Sequence, residues 1–147
     1  MRQRQGAESG SSLVATRIAA RGGRVTRARL AVLSILESAA QAMRHEGIEQ
    51  ALAARQVLCD RVTLYRTLDW LVLNGLAHRV HGADRVWRFA VLRQVGDETH
   101  AHFHCERCGQ VVCLSQPVPV LDLPAGYALK RVELNVFGMC PTCDAHA

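Results

Sequence analysis

The 147-residue chain has no apolar run approaching the roughly 18 residues that cross a bilayer. Its first residues, Met1-Arg-Gln-Arg-Gln-Gly, contain no apolar segment of the kind that directs secretion. Neither a membrane span nor a signal peptide is expected, and the expected location is the cytoplasm. Thiols there stay reduced, which favours metal over disulfides for the 6 cysteines. The HExxH helix of many zinc hydrolases is also missing. Residues 85–147 lack any net charge, with 6 Lys and Arg against 6 Asp and Glu. All the excess lies in residues 1–84, where 12 Arg face 7 acidic residues for a net of +5. Arginine forks suit phosphate oxygens and guanine edges, so this half points to nucleic acid, although a charge of +5 can also serve solubility alone.

What the chain does have is two CxxC knuckles, Cys105-Glu-Arg-Cys108 and Cys140-Pro-Thr-Cys143, with 31 residues between them. Two such knuckles in one small domain have the spacing of a structural zinc site with four thiolates. Two disulfides or four core cysteines are the alternatives. His100, His102 and His104 run into the first knuckle. On a strand they share one face, opposite Ala101, Phe103 and Cys105, so they would serve a second ion. His78, His81, Asp97, Glu98 and Cys113 are further candidate ligands; His104 reads rather as a surface strand residue, and Cys113 can equally be an ordinary buried cysteine. Cys59 reads as packing.

The length fits one medium domain or two small ones. Residues 1–12 are polar with Gly and Ser and read as a flexible tail. A short helix is expected over Leu13–Arg21, a second after the N-cap Thr26 with Leu30, Val32, Leu33, Ile35 and Leu36 inward, and a third over Glu46–Arg55. The fourth has Asp60 as N-cap, the stripe Leu64, Leu68, Leu71 and Val72, and Gly75 as its stop. Tyr65, Arg66 and Arg61 then face outward. Leu76–His81 and Arg85–Ala90, joined by Gly82-Ala83-Asp84, form a hairpin signal. Helices followed by a hairpin predict a winged helix-turn-helix over residues 13–90. Residues 91–147 predict a small α/β or mostly β domain closed by zinc, with strands at Ala101–Cys105, Gln110–Leu114 and Tyr127–Phe137. Prolines limit Ser115–Gly126 to one or two helical turns. The fold class is α+β.

These segments together resemble the ferric uptake regulator superfamily over about residues 20–145. Arg24-Val-Thr-Arg-Ala-Arg29-Leu is similar to the opening x-V-T-x-x-R-L, and Val62-Thr-Leu-Tyr65-Arg66-Thr-Leu to the recognition-helix a-T-V-Y-R-x-L. His100 to Gly109 is similar to H-x-H-x-x-C-x-x-C-G, and Cys140–Cys143 supplies the last CxxC. The resemblance implies a homodimeric, metal-dependent repressor that binds an inverted repeat in double-stranded DNA. By position, Tyr65 and Arg66 would touch the major groove and Arg24 the adjacent minor groove. His100 and His102 would be regulatory ligands in the hinge between domains. His78 stands where zinc-sensing members place a wing histidine, and Cys113 where they tend to place an acidic ligand. Ala42-Met43-Arg44 and Phe89-Ala90 lack the histidine and glutamate usual in iron sensors. A zinc sensor, carrying Zn2+ at both sites, is therefore preferred to a sensor of Fe2+ or peroxide. A zinc-ribbon scaffold and a zinc hydrolase with Glu98 as base are remoter readings. No enzymatic activity and no small-molecule substrate are expected.

Overall fold

The computed structural model of the chain describes residues 5–93 and 100–145, with side chains from Ser12 onward. Four helices come first: α1 (Gln5–Ala19), α2 (Arg27–Ser38), α3 (His45–Ala54) and α4 (Arg61–Leu73). The stretch expected to be a tail up to residue 12 is helical from Gln5, eight residues before the expected start at Leu13. Val14 and Ile18 anchor the far end of α1 in the core. Once a helix is held at one end, each added residue gains a hydrogen bond without a new nucleation cost, so polar Ala- and Glu-containing turns can extend it. Thr26 caps α2 as expected, accepting the Arg29 amide at 3.2 Å. Asp60 caps α4 twice over, taking the Thr63 amide at 2.8 Å and the Thr63 hydroxyl at 2.7 Å. Leu64, Leu68 and Leu71 of α4 then join Val32, Leu33, Ile35, Leu36, Ile48 and Leu52 in one apolar core. Each such side chain stabilises the fold by about 1.5–3 kcal/mol of burial. Gly75 sits at φ +64°, the left-handed conformation that stops α4.

The wing follows as an antiparallel hairpin of β1 (Ala77–His81) and β2 (Trp87–Val91), with Ala77 opposite Val91 and His81 opposite Trp87. Its turn is held from within by a buried cation. Arg88 is only 3% exposed. Its Nη1 and Nη2 donate to the two carboxylate oxygens of Asp84 at 2.8 and 3.0 Å, and Nη1 also reaches the Val86 carbonyl at 3.1 Å. Arg44 pairs with the same carboxylate from the N-cap of α3. The two guanidinium groups hold the Asp84 carboxyl well below the usual carboxylate range, with the Arg88 bond the larger cause. Gly82 is required here by close approach, since a Cβ would lie 1.8 Å from Arg88 Nη1. Asp84→Ala leaves a buried guanidinium without its anion and is expected to cost about 2 kcal/mol, a value reduced because Asp84 is one-third exposed. Because the carboxyl titrates lower in the folded state than in the unfolded chain, the stabilisation holds at neutral pH. It fades as pH falls below the unfolded value of about 4. Comparison of thermal midpoints at pH 7 and pH 3 checks both statements: the gap between wild type and variant should narrow in acid.

The C-terminal sheet has the order β4-β3-β5, from β3 (His100–Cys105), β4 (Val111–Pro117) and β5 (Leu134–Gly138), and ends in the short α5 (Pro141–Asp144). β3 is antiparallel to β4, with His102 opposite Cys113, and parallel to β5. The third strand is thus shorter than the expected Tyr127–Phe137, and residues 118–133 form neither helix nor strand. Pro117, Pro119 and Pro124 remove backbone donors that either element would need. Two backbone links join the sheet and the wing to the segment before α3. The Ala42 amide donates to the Val111 carbonyl at 2.9 Å, and Met43 and Phe89 exchange two bonds of 2.8 Å. Ala42, Val80, Ala90 and Val111 pack into a small second cluster at this junction, with Cys113 against it.

Candidate metal centres and nucleic-acid face

The two knuckles meet at one end of the C-terminal sheet. Cys105 ends β3, Cys108 closes the turn after it, Cys140 is the N-cap of α5 and Cys143 lies within that helix. The Glu106 amide donates to the Gly138 carbonyl at 2.9 Å, which ties the first knuckle to the strand that leads into the second. One ligand atom from each cysteine lies within 4.8 Å of all the others, and the Cys108 and Cys140 sulfurs are 3.8 Å apart. Thiolates on a tetrahedral ion with 2.3 Å bonds would be separated by about 3.8 Å. All six cysteines are free thiols. Backbone amides, that of Cys108 first and that of Cys140 at 3.4 Å next, draw the Cys105 thiol down to about 6. Burial, followed by the neighbouring sulfurs, pushes Cys143 up to about 12. Cys105 and Cys143 thus differ in their affinity for protons, and a cation held among the four sulfurs would stabilise them together as thiolates. The donor set fits a structural zinc ion.

The second cluster draws on three strands. His78 comes from β1 in the wing, His100 and His102 from β3, and Cys113 from β4, and one ligand atom of each lies within 4.8 Å of the rest. His78 Nε2 is 3.1 Å from His102 Nε2 and 3.5 Å from the Cys113 sulfur. The register explains the meeting of β3 and β4: His102 is paired directly with Cys113. Burial first, then His100 and His104, pulls the His102 imidazole down to about 4, so at neutral pH the ring is already in the form that binds metal. Three imidazoles and one thiol suit zinc, and the thiolate disfavours hard-oxygen metals.

Other candidate ligands take different roles. His104 is buried at 4% exposure, where its Nε2 is 2.8 Å from Asn135 Oδ1 and its ring stacks on Phe137. It is neither a surface residue nor a member of the cluster, since Asn135 and Phe137 of the neighbouring strand β5 engage its ring. His81 lies against the Trp87 ring within the wing, the two ring planes tilted by 32°. Cys59 packs against the main core. Asp97 and Glu98 lie outside the described residues.

On the outward side of α4, Arg66 is exposed and Tyr65 is 43% exposed, with the Tyr65 ring centroid 4.2 Å from that of His45 at the start of α3. Arg61 is exposed but its Nε donates to Glu49 at 3.1 Å. Arg24 lies exposed in the loop before α2, and its carbonyl accepts Arg29 Nη1 at 2.8 Å. Three residues of consequence escaped the sequence reading. Arg88 carried no signal, since a charged residue in a hairpin strand ordinarily faces solvent. Trp70 carried only a helical spacing from its neighbours, and Arg29 stood only as the arginine of the opening motif, with no contact attached to it.

Comparison with known proteins agrees with this geometry. Residues 20–121 match the description of the ferric uptake regulator family. The zinc uptake regulation protein of Escherichia coli K12 is 29% identical over 133 residues, which span 85% of this chain and 75% of that protein. The ferric uptake regulation protein of Synechococcus elongatus is 26% identical over 132 residues, 84% of this chain and 88% of that one. Among solved structures, a zinc uptake regulator in complex with zinc and DNA superposes with a TM-score of 0.67 at 21% identity, covering 97% of this chain and 98% of the other. The Vibrio cholerae ferric uptake regulator gives 0.64 at 22% identity, covering 85% and 98%. At such identities these structures speak for the fold.

Proposed function

The chain belongs to the ferric uptake regulator family, and from that premise we propose that it is a zinc-responsive repressor that binds double-stranded DNA as a homodimer. In this reading residues 13–90 bind DNA and residues 91–147 bind metal and pair with a second copy, in the cytoplasm. The observation that carries it is the cluster of His78, His100, His102 and Cys113, because its donors lie on both sides of the junction between wing and sheet. These four side chains would hold the regulatory ion, and Cys105, Cys108, Cys140 and Cys143 the structural one. Bound zinc supplies a divalent charge that draws all four regulatory donors towards one point.

The residues themselves account for the regulation. Before a metal binds, His78 meets β3 and β4 through polar contacts with the His102 imidazole and the Cys113 thiol. With the four donors committed together, the wing turns only with the sheet. In a dimer this sets the two α4 helices at one separation, suited to successive major-groove faces about 34 Å apart. Such coupling is typically worth 1–3 kcal/mol, or about 5- to 150-fold in DNA affinity. A closed set of four protein donors leaves no position for a substrate, which supports a regulatory site over a hydrolytic one. The same set contains a thiol and no carboxylate among the described residues, which supports zinc over iron or an iron-based peroxide sensor.

Selection from a random duplex library tests the reading. An inverted repeat should be enriched with zinc present and not with a chelator; enrichment that ignores metal would contradict regulation by this site. Arg66→Ala should weaken binding to the selected duplex by about 1–3 kcal/mol while zinc content stays constant. Unchanged binding would remove Arg66 from the interface.

A further inference from the structure

We propose that Trp70 and Arg29 are positioning residues that fix the Arg24 loop against α4, so that minor-groove and major-groove contacts are made as one unit. The inference rests on the reading of Arg24 as a DNA contact. Arg24 sits in the seven-residue connection, residues 20–26, between α1 and α2, a segment that would ordinarily move freely. Here it is tied down from both sides. The Arg29 guanidinium donates to the Arg24 carbonyl at 2.8 Å, and its central carbon lies 3.8 Å from the centre of the Trp70 ring. A cation over an indole face is the strongest pairing of its kind. Thr26 meanwhile accepts the Arg29 amide and closes the loop onto α2.

The loop also touches the indole directly. A Cβ on Gly23 would lie 2.2 Å from Trp70 Cζ2 and 2.4 Å from Cη2, so the backbone passes over the ring at a distance open only to glycine. Trp70 follows Arg66 by four residues on α4, which places both on one side of the helix. The side of α4 that presents Arg66 therefore also carries the ring that supports the loop of Arg24. Arg29 links the two through a bond to main chain, so the Arg24 side chain keeps all its donors for a nucleic acid. A loop set in this way loses little freedom on binding, and its register with Arg66 is fixed in advance.

The experiment is a double-mutant cycle on the zinc-loaded, full-length protein, read as affinity for the duplex recovered by selection. Zinc content and thermal midpoint are followed in parallel. Arg24→Ala and Trp70→Leu should each weaken binding roughly tenfold. In the double variant Trp70→Leu should add almost nothing, because it acts only through Arg24. Arg29→Gln leaves the indole in place and should repeat that pattern should Trp70→Leu fail to fold, and Trp70→Phe should recover part of the affinity. A full multiplicative loss in the double variants, or normal binding by both single variants at Trp70 and Arg29, would overturn the proposal while leaving Arg24 as a contact. Normal binding by Arg24→Ala would overturn both that contact and the role built on it.

Discussion

Cys105→Ser is expected to abolish metal retention at the four-thiol cluster and to unfold the C-terminal sheet while the helical core stays folded. The sheet has little else to hold it. Its buried apolar residues are few, chiefly Ala101, Val111 and the sulfurs of Cys105 and Cys140. Residues 120–131 are exposed throughout, with Val120 at 95%. Cys105 is the worst ligand to lose, since it ends the central strand and its sulfur accepts the Cys140 amide from the other knuckle. A serine hydroxyl does not give up its proton to zinc as a thiol does. Structural zinc in small peptides is worth about 10–16 kcal/mol, more than a sheet of this size can replace. Elemental analysis and hydrogen exchange check the outcome. Fast exchange should appear in β3, β4 and β5, with α2 and α4 still protected. A variant that kept one tightly held zinc and a protected β3 would show that another group fills the position.

His102→Ala is expected to remove the gain in DNA affinity that zinc confers, a loss of about 5- to 150-fold at saturating metal, with metal-free binding unchanged. His102 is the centre of its cluster: its Nε2 approaches His78 Nε2 at 3.1 Å, and its strand position is paired with Cys113. Its imidazole, drawn down to about 4 mainly by burial, carries no proton that a metal must displace at neutral pH. The substitution leaves an apolar Ala on a strand whose sheet contacts are made by backbone, so the fold should survive. Titration of DNA with the variant in buffered zinc and in chelator checks the result. A loss equal in both conditions would assign His102 to stability and not to regulation.

Much of this was legible in the sequence because the signals were local. The stripe Leu64, Leu68 and Leu71 with Asp60 before it and Gly75 after it defines α4 without knowledge of any other element. The CxxC pairs carry their own chemistry, and their meeting is imposed by the ion they imply. The pairing of His78 with Cys113 came instead from resemblance, since it depends on where the wing lies against β4. That placement hangs on the bond from Ala42 to Val111, which no periodicity announces. The extension of α1 to Gln5 was missed for a different reason: polar composition marks a segment that cannot form a core, not one that cannot continue a helix. Arg88 was invisible because its burial depends on Asp84 four residues away folding back across the turn. Likewise β5 starts at Leu134, although Tyr127–Val132 is just as strand-like in composition, because only the later residues find β3 as a partner.

The central claim is that a second metal site, distinct from the four-thiol cluster, controls DNA binding. Metal content and DNA affinity measured together on one sample, across buffered free zinc and then free ferrous iron, test it most directly. Two zinc ions per chain are expected, with tight DNA binding arising only as the second is loaded. One fixed zinc per chain, with DNA binding indifferent to further zinc or driven by iron alone, would contradict it.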